Sequence, residues 1–232
     1  MNNFLSTILP DQGIYFIAAQ TSKGFPHFPC DTIKGMVKKA GELDAQGFDT
    51  YFACASYKQE SYMDANGKQR ERTAVNAGWA KCFWLDIDCG ADKAESGKGY
   101  ATINDALAAL LAFVDAVGLP KPYIVSSGGG LHVYWVLNET VTKGQWKPVA
   151  EQLKALTKCV QIRLIADDTR TADIASILRP VGTHNYKPDR RGTEVKLIIM
   201  GVVTGFDDFS QIISKVYQSY CGGSTRPSKG LQ

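Results

Sequence analysis

Residues 81–90 read KCFWLDIDCG, and the reading of this run decides how the rest of the chain folds. Side chains alternate faces along a strand, so Phe83, Leu85 and Ile87 point into a core while Trp84, Asp86 and Asp88 point the other way. Two carboxylates thus share one face. Their α-carbons would lie ~6.6 Å apart, and two charges about 6 Å apart in an effective dielectric near 20 repel by roughly 3 kcal/mol. Such a pair keeps a proton or recruits a cation. Mg²⁺ and Mn²⁺ suit it, because hard cations take oxygen ligands and are commonly held by one or two carboxylates plus substrate phosphates. A strand end whose two acids cap a turn before Gly90 accounts for the same residues without a metal.

Outward from this strand, the pattern predicts a sheet with helices interleaved. Gly13–Ala18 and Thr50–Ala55 are β-branched and aromatic runs, separated by a helical pattern over Asp31–Leu43 with Asp31 as a plausible N-cap. Lys58–Arg72 is a polar excursion carrying Lys58, Lys68, Arg70 and Arg72. After the acidic strand come a helix at Thr102–Val117, stopped by Gly118 and Pro120, and strands at Tyr123–Ser126 and Leu131–Leu137 joined by a glycine turn. A helix at Gln145–Thr157, a strand near Val160–Ile165, a short helix at Asp173–Leu178 ended by Pro180, a strand at Thr193–Met200 and a helix at Phe209–Tyr217 complete the series. The fold class is therefore α/β in the broad sense (α+β), a mixed sheet with packed helices. Residues 221–232 are rich in Gly, Ser and Pro and read as a flexible tail or linker.

The composition agrees with a folded domain. The chain has 232 residues, 44% hydrophobic and 21% charged, which excludes a disordered polyelectrolyte. A net charge of +3 is too small to nominate a nucleic-acid partner by bulk electrostatics, so any basic groove must be local. The six cysteines form no CxxC pair and read as free thiols of a reducing compartment. No apolar run reaches the ~20 residues of a membrane-spanning helix, and the N-terminus lacks the features of a signal peptide. A soluble, cytoplasmic protein is expected, with no membrane partner.

Two further runs could carry chemistry. In PYIVSSGGGLHVYWVL, residues 122–137, three glycines between strands permit a tight turn whose N–H groups can hold phosphate oxygens. His132 and Tyr134 then share one strand face. The run lacks the lysine of a Walker loop and the last glycine and helix of a dinucleotide fingerprint, and taken alone a glycine hairpin with an exposed histidine is more often structural than functional. In LIADDTRTADIASILRPVGTHNYK, residues 164–187, Asp173 suits a helix start. Either Asp167 or Asp168 could join Asp86 and Asp88 as a third carboxylate. Arg179 and Lys187 are available for an anionic substrate, although a surface Arg179 balancing the helix dipole is the plain reading. Carboxylates, a glycine turn with a histidine, and an Arg/Lys pair together suit phosphoryl or nucleotidyl transfer.

With these residues in view, the chain resembles the catalytic domain of the archaeo-eukaryotic primase superfamily, in particular the primase-polymerase domains of phages and plasmids. LDID at Leu85–Asp88 matches the hydrophobic-Asp-x-Asp strand motif. Ser126 or Ser127 through Gly130 to His132 matches the second motif, and Asp167 followed twelve positions later by Arg179 in RPVGTHNYK matches the third, with the proline shifted by one. The resemblance runs from about Tyr51 to Lys196. It implies an RRM-like mixed β-sheet core over about 76–220 and an N-terminal α/β part over about 1–75, together one catalytic domain over 1–220.

It also implies that Asp86, Asp88 and Asp167 are catalytic and bind two metal ions, Mg²⁺ or Mn²⁺. Ser127, Gly130, His132 and Arg179 would bind nucleotide, with Asn185 and Lys187 touching sugar or phosphate. The implied enzyme is a DNA primase and DNA-directed polymerase that synthesises primers on a single-stranded DNA template from nucleoside triphosphates, with extension by dNTPs as a further step. A phage- or plasmid-encoded protein of the bacterial cell is expected. A replicative helicase, in trans or fused in a longer parent chain, is a candidate partner. The competing reading is a non-catalytic RRM-like module that binds single strands by stacking bases on Trp84 and Tyr134. A rolling-circle nuclease would need a second histidine beside His132, where Tyr134 stands.

Overall fold

The computed structural model describes residues 1–190 and 192–221. The chain opens with helix α1 (Asn2–Ile8), strands β1 (Tyr15–Gln20) and β2 (His27–Cys30), helix α2 (Ile33–Asp44) and strand β3 (Asp49–Ala53). β4 (Ser56–Tyr57) and a small hairpin of β5 (Tyr62–Met63) and β6 (Gln69–Arg70) lead to the long β7 (Ala77–Asp88). Then follow α3 (Ala91–Glu95), α4 (Ile103–Val117), β8 (Tyr123–Ser126), β9 (Gly130–Thr142), α5 (Lys143–Lys158) and α6 (Asp168–Thr171). β10 (Ile177–Leu178), β11 (His184–Asn185), β12 (Thr193–Glu194), β13 (Lys196–Ile199), β14 (Val203–Thr204) and α7 (Phe206–Cys221) end the described chain.

Two sheets dominate. The larger runs β13-β8-β9-β7-β4, antiparallel throughout, and β14 joins it by a parallel pairing with β9, which makes it mixed as the sequence predicts. The smaller is β10-β3-β1-β2. Each sheet takes a strand from the other's stretch of chain: β4 precedes residue 75 yet pairs with β7, and β10 lies a hundred residues beyond it yet pairs with β3. That exchange matters for function, because β10 carries Arg179 to the N-terminal sheet.

Local chemistry explains the helices. α4 begins with a capping box, in which the Thr102 hydroxyl accepts from the Asp105 N–H and the Asp105 carboxylate accepts from the Thr102 N–H, and it ends at Gly118 in the left-handed region. α5 starts with the same device on Thr142 and Gln145. α2 is capped by Thr32, whose hydroxyl accepts from the Gly35 N–H at 3.1 Å, so the expected Asp31 cap lies one residue early. One continuous core fills the molecule, with Trp84, Trp135 and Trp146 almost fully buried and Phe83 stacked on Phe209 at 4.7 Å.

Two expected elements differ. The strand expected near Val160–Ile165 is a 3₁₀ turn at Val160–Ile162 followed by extended chain with no strand pairing among the described residues. The helix expected over Asp173–Leu178 is a turn, in which Asp173 accepts the Ser176 and Ala175 N–H groups, followed by β10. Pairing with β3, and the bond from the Cys54 N–H to the Ser176 carbonyl, override the short helical pattern. Cys221 closes α7, and the rest of the predicted tail, 222–232, lies outside the described residues. All six cysteines are free, and no described helix is long and apolar enough to cross a membrane.

Candidate active site

The acidic strand and the glycine hairpin are neighbours. β7 and β9 pair so that Asp86 faces His132 and Asp88 faces Gly130. The hairpin explains the third glycine: a Cβ on Gly130 would sit 2.0 Å from the Ile87 carbonyl oxygen, so only glycine lets the two backbones meet beside the acids. Gly128, with φ +76, turns the chain, and Gly129 returns a carbonyl to the Cys89 N–H at 2.8 Å. The loop is thereby fixed on the end of β7.

Asp167 is brought to the same place by a backbone bond, its N–H donating to the Asp86 carbonyl at 2.7 Å. It caps α6, its carboxylate accepting from the Thr169 N–H at 2.9 Å. Trp84 secures the arrangement, its indole N–H donating to the Arg170 carbonyl at 3.0 Å. Asp168 faces elsewhere. It pairs with Lys158, which holds its carboxyl below the ordinary aspartate value. Of the two candidates for a third acid, Asp167 is the one adjoining Asp86.

Asp86 lies at the floor of a cleft of about 380 Å³, with 24% of its side chain still open. Its pKa is pushed up to about 7, first by desolvation and then by the charges of Asp88 and Asp167, against the partial relief of Arg170 and Arg179. Burial and the two neighbouring acids together outweigh the relief that the arginines give. His132, 3% exposed, has its Nε2 3.9 Å from the Asp86 carboxylate and no hydrogen-bond partner for Nδ1 among the described residues. Burial, with Arg179 adding to it, lowers its pKa to about 3, so the imidazole is neutral at pH 7.

The cleft also collects cations. Lys93, Arg170, Arg179, Lys187 and Arg190 line it against the carboxylates of Asp86, Asp88 and Asp189. The surplus is positive. Arg179 is nearly buried and is aimed by the N-terminal sheet: its Nε and Nη2 donate to the Asp49 carboxylate at 3.2 and 2.8 Å, Nη2 also donates to the Tyr51 hydroxyl at 2.8 Å, and the guanidinium lies 4.7 Å over the Tyr51 ring. It follows β10 and does not end a helix, which corrects the sequence reading of its setting. Asn185, also buried, donates from Nδ2 to the Ser127 carbonyl at 2.9 Å and so pins the glycine loop. Ser127 and Lys187 line the cleft as well.

Several residues of the site escaped the sequence reading, among them Asp49 and Tyr51, which hold Arg179, Arg170, whose charge relieves Asp86, Lys93, whose ammonium lies 2.6 Å from Asp88, and Arg190, which donates to the Cys89 carbonyl at 2.9 Å. Only Lys93 had a readable signal, its place five residues beyond Asp88 in a short helix. The Lys58–Arg72 segment, in contrast, supplies no lining residue. Arg70 pairs with Asp64, and Arg72 donates to the Ala175 carbonyl.

Among the described residues no three His, Cys, Asp or Glu side chains form a ready metal cage. The donor set nevertheless suits Mg²⁺ or Mn²⁺ that arrive with phosphate oxygens, since such ions need only one or two protein carboxylates. The raised pKa of Asp86 marks where a cation would relieve the crowding.

No protein-family model matches the chain, and no curated protein matches it. Solved structures do. The primase-polymerase (AEP) domain of cyanophage S-2L superposes with a TM-score of 0.58 over 87% of this chain and 89% of that one, at 16% identity. The primase RepB′ superposes with a TM-score of 0.52 at 14% identity, over 93% of this chain and 61% of that one. The protein therefore shares the fold of these primase catalytic domains, a mixed α+β architecture of the class the sequence predicts.

Proposed function

We propose that the protein is a template-dependent nucleotidyltransferase that joins nucleotides on single-stranded DNA, synthesising primers and extending them with dNTPs. The observation that carries this reading is one cleft in which Asp86 and Asp88 meet five cations, with Asp167 tied to Asp86 by a backbone bond at the cleft's border, on a fold shared with primase-polymerases. In the reaction the 3′ oxygen bonds to the α-phosphorus while the bond to the bridging oxygen breaks. Pyrophosphate leaves, and the hydroxyl proton passes to solvent.

Asp86, Asp88 and Asp167 would hold two Mg²⁺ or Mn²⁺ ions, which when bound lower the charge on the triphosphate and ease ionisation of the attacking hydroxyl. The chain's own groups position the substrate. Arg179, held rigid by Asp49 and Tyr51, presents a preorganised charge to the phosphates. His132 binds as a neutral imidazole, free to donate a hydrogen bond without adding charge beside the acids. Lys187 and Arg190 extend the positive wall, while Ser127, Gly130 and Asn185 keep the loop in place.

The binding-module reading loses its basis. Trp84 and Tyr134 are fully buried, so neither can stack on a base. The test is primer synthesis on single-stranded DNA with Mg²⁺ or Mn²⁺, with Asp86→Ala and Asp88→Ala as controls. Product from the wild type and none from the variants is expected. No product from the wild type, or full activity in both variants, would refute the proposal.

A further inference from the structure

The acids stand between two clefts. Asp86 opens into the cleft described above and Asp167 into a second one of about 630 Å³, while Asp88 and Lys93 line both. In-line transfer needs two reactants on opposite sides of the reacting phosphorus, and the two clefts differ in what they can hold. The first is walled by buried groups, Arg179 at 7% and His132 at 3% exposure, as suits a mononucleotide enclosed on most sides. The second has an open wall of Lys98, Arg163 and Val160, the last 86% exposed. An open wall can take a chain that continues beyond the site.

We propose that this second cleft binds the DNA strand whose 3′-hydroxyl attacks, with Lys98 and Arg163 contacting its phosphates; this rests on the nucleotidyl-transfer reading above. Among the described residues neither Lys98 nor Arg163 has an ion-pair partner, whereas Lys158 beside them is tied to Asp168. Two cations are thus left for an anionic backbone. The wall that carries Arg163 is fixed to the acidic strand's end: the Ile165 N–H donates to the Tyr100 hydroxyl at 3.0 Å, and the Tyr100 N–H donates to the Asp88 carbonyl at 3.0 Å. The Leu164 N–H, donating to the Thr157 carbonyl at 3.0 Å, braces it from the other side. Val160 adds an exposed apolar surface on which a sugar or base can rest.

The test uses the full chain and a fluorescent DNA hairpin with a recessed 3′ end, its affinity followed by anisotropy over a KCl series. Lys98→Ala/Arg163→Ala removes two phosphate contacts on exposed side chains. The expected result is DNA binding weaker by roughly tenfold or more at about 0.1 M salt, and a log–log salt slope shallower by roughly 1.8. The KM for nucleoside triphosphate should stay within about twofold, taking a lost phosphate contact to act on the DNA alone. Lys34→Ala/Lys38→Ala, on the exposed face of α2, should change none of these. If wild type and variant add nucleotides alike with the same DNA affinity and slope, or if only the nucleotide KM rises, this assignment fails and the parent reading stands. A wild type that binds nucleotide but adds none to any primer would instead refute the parent reading.

Discussion

Burial of Asp86 beside Asp88 and Asp167 predicts that the acids proposed to serve the reaction weaken the metal-free fold. Asp86 has its pKa pushed up to about 7, whereas an aspartate in the unfolded chain titrates near 3.9. Between these values the native state binds more protons than the unfolded state, so stability falls as pH rises through the window and the loss is complete above it. A shift of about three units corresponds to roughly 4 kcal/mol in full, of which roughly 2 to 3 kcal/mol develops between about pH 5 and 8. Access of water to a quarter of the side chain argues for the lower figure. Asp86→Asn removes the charge and keeps the shape. Urea denaturation with EDTA at both pH values gives the stability of variant minus wild type, in which the titration of other groups largely cancels. That difference should grow by about 2 kcal/mol in favour of the variant from about pH 5 to 8. A difference that is flat or moves the other way would refute the claim that burial and its acidic neighbours hold the Asp86 carboxyl well above the ordinary aspartate range.

Three further perturbations probe the supports of the site. Gly130→Ala places a Cβ 2.0 Å from the Ile87 carbonyl oxygen, and the forced separation of β7 and β9 should cost about 3 kcal/mol in urea denaturation; a cost under about 1 kcal/mol would show that the hairpin has slack. Asp49→Ala leaves Arg179 without its carboxylate partner on side chains 8% and 13% exposed, and should lower stability by about 3 kcal/mol while raising the nucleotide KM; an unchanged KM would show that Arg179 does not meet the nucleotide. His132→Ala should raise the nucleotide KM by about tenfold or more, the loss of a hydrogen bond to a charged group, and leave affinity for single-stranded DNA within about twofold. Equal loss of both would make His132 a structural residue of the hairpin.

The sequence made the acidic strand and the glycine hairpin readable because both are local patterns. Alternation placed Asp86 and Asp88 on one face, and a short turn forced Leu131–Leu137 to return beside them. Capping signals at Thr102 and Gly118 bounded α4 for the same reason. What escaped depends on tertiary pairing. Asp173–Leu178 carries a weak helical pattern whose fate was decided by the edge of β3, more than 120 residues earlier. Asp49 and Tyr51 showed no sign of their role, because nothing local tells a strand residue that an arginine 130 positions later will lie across it. The basic excursion Lys58–Arg72 stands out by charge alone, and its arginines are spent on Asp64 and the Ala175 carbonyl. The near-neutral net charge conceals a local cleft in which five cations surround the acids.

The central claim is that this cleft seats a nucleoside triphosphate and its metal ions between the acids and Arg179. A crystal structure after soaking with a nucleoside triphosphate and Mn²⁺ tests it most directly. The account predicts manganese density bridging Asp86, Asp88 and Asp167, with the triphosphate against His132 and Arg179 and no metal at Asp168. Triphosphate bound outside the cleft, or manganese absent from Asp86 and Asp88 while nucleotide occupies the protein, would contradict it.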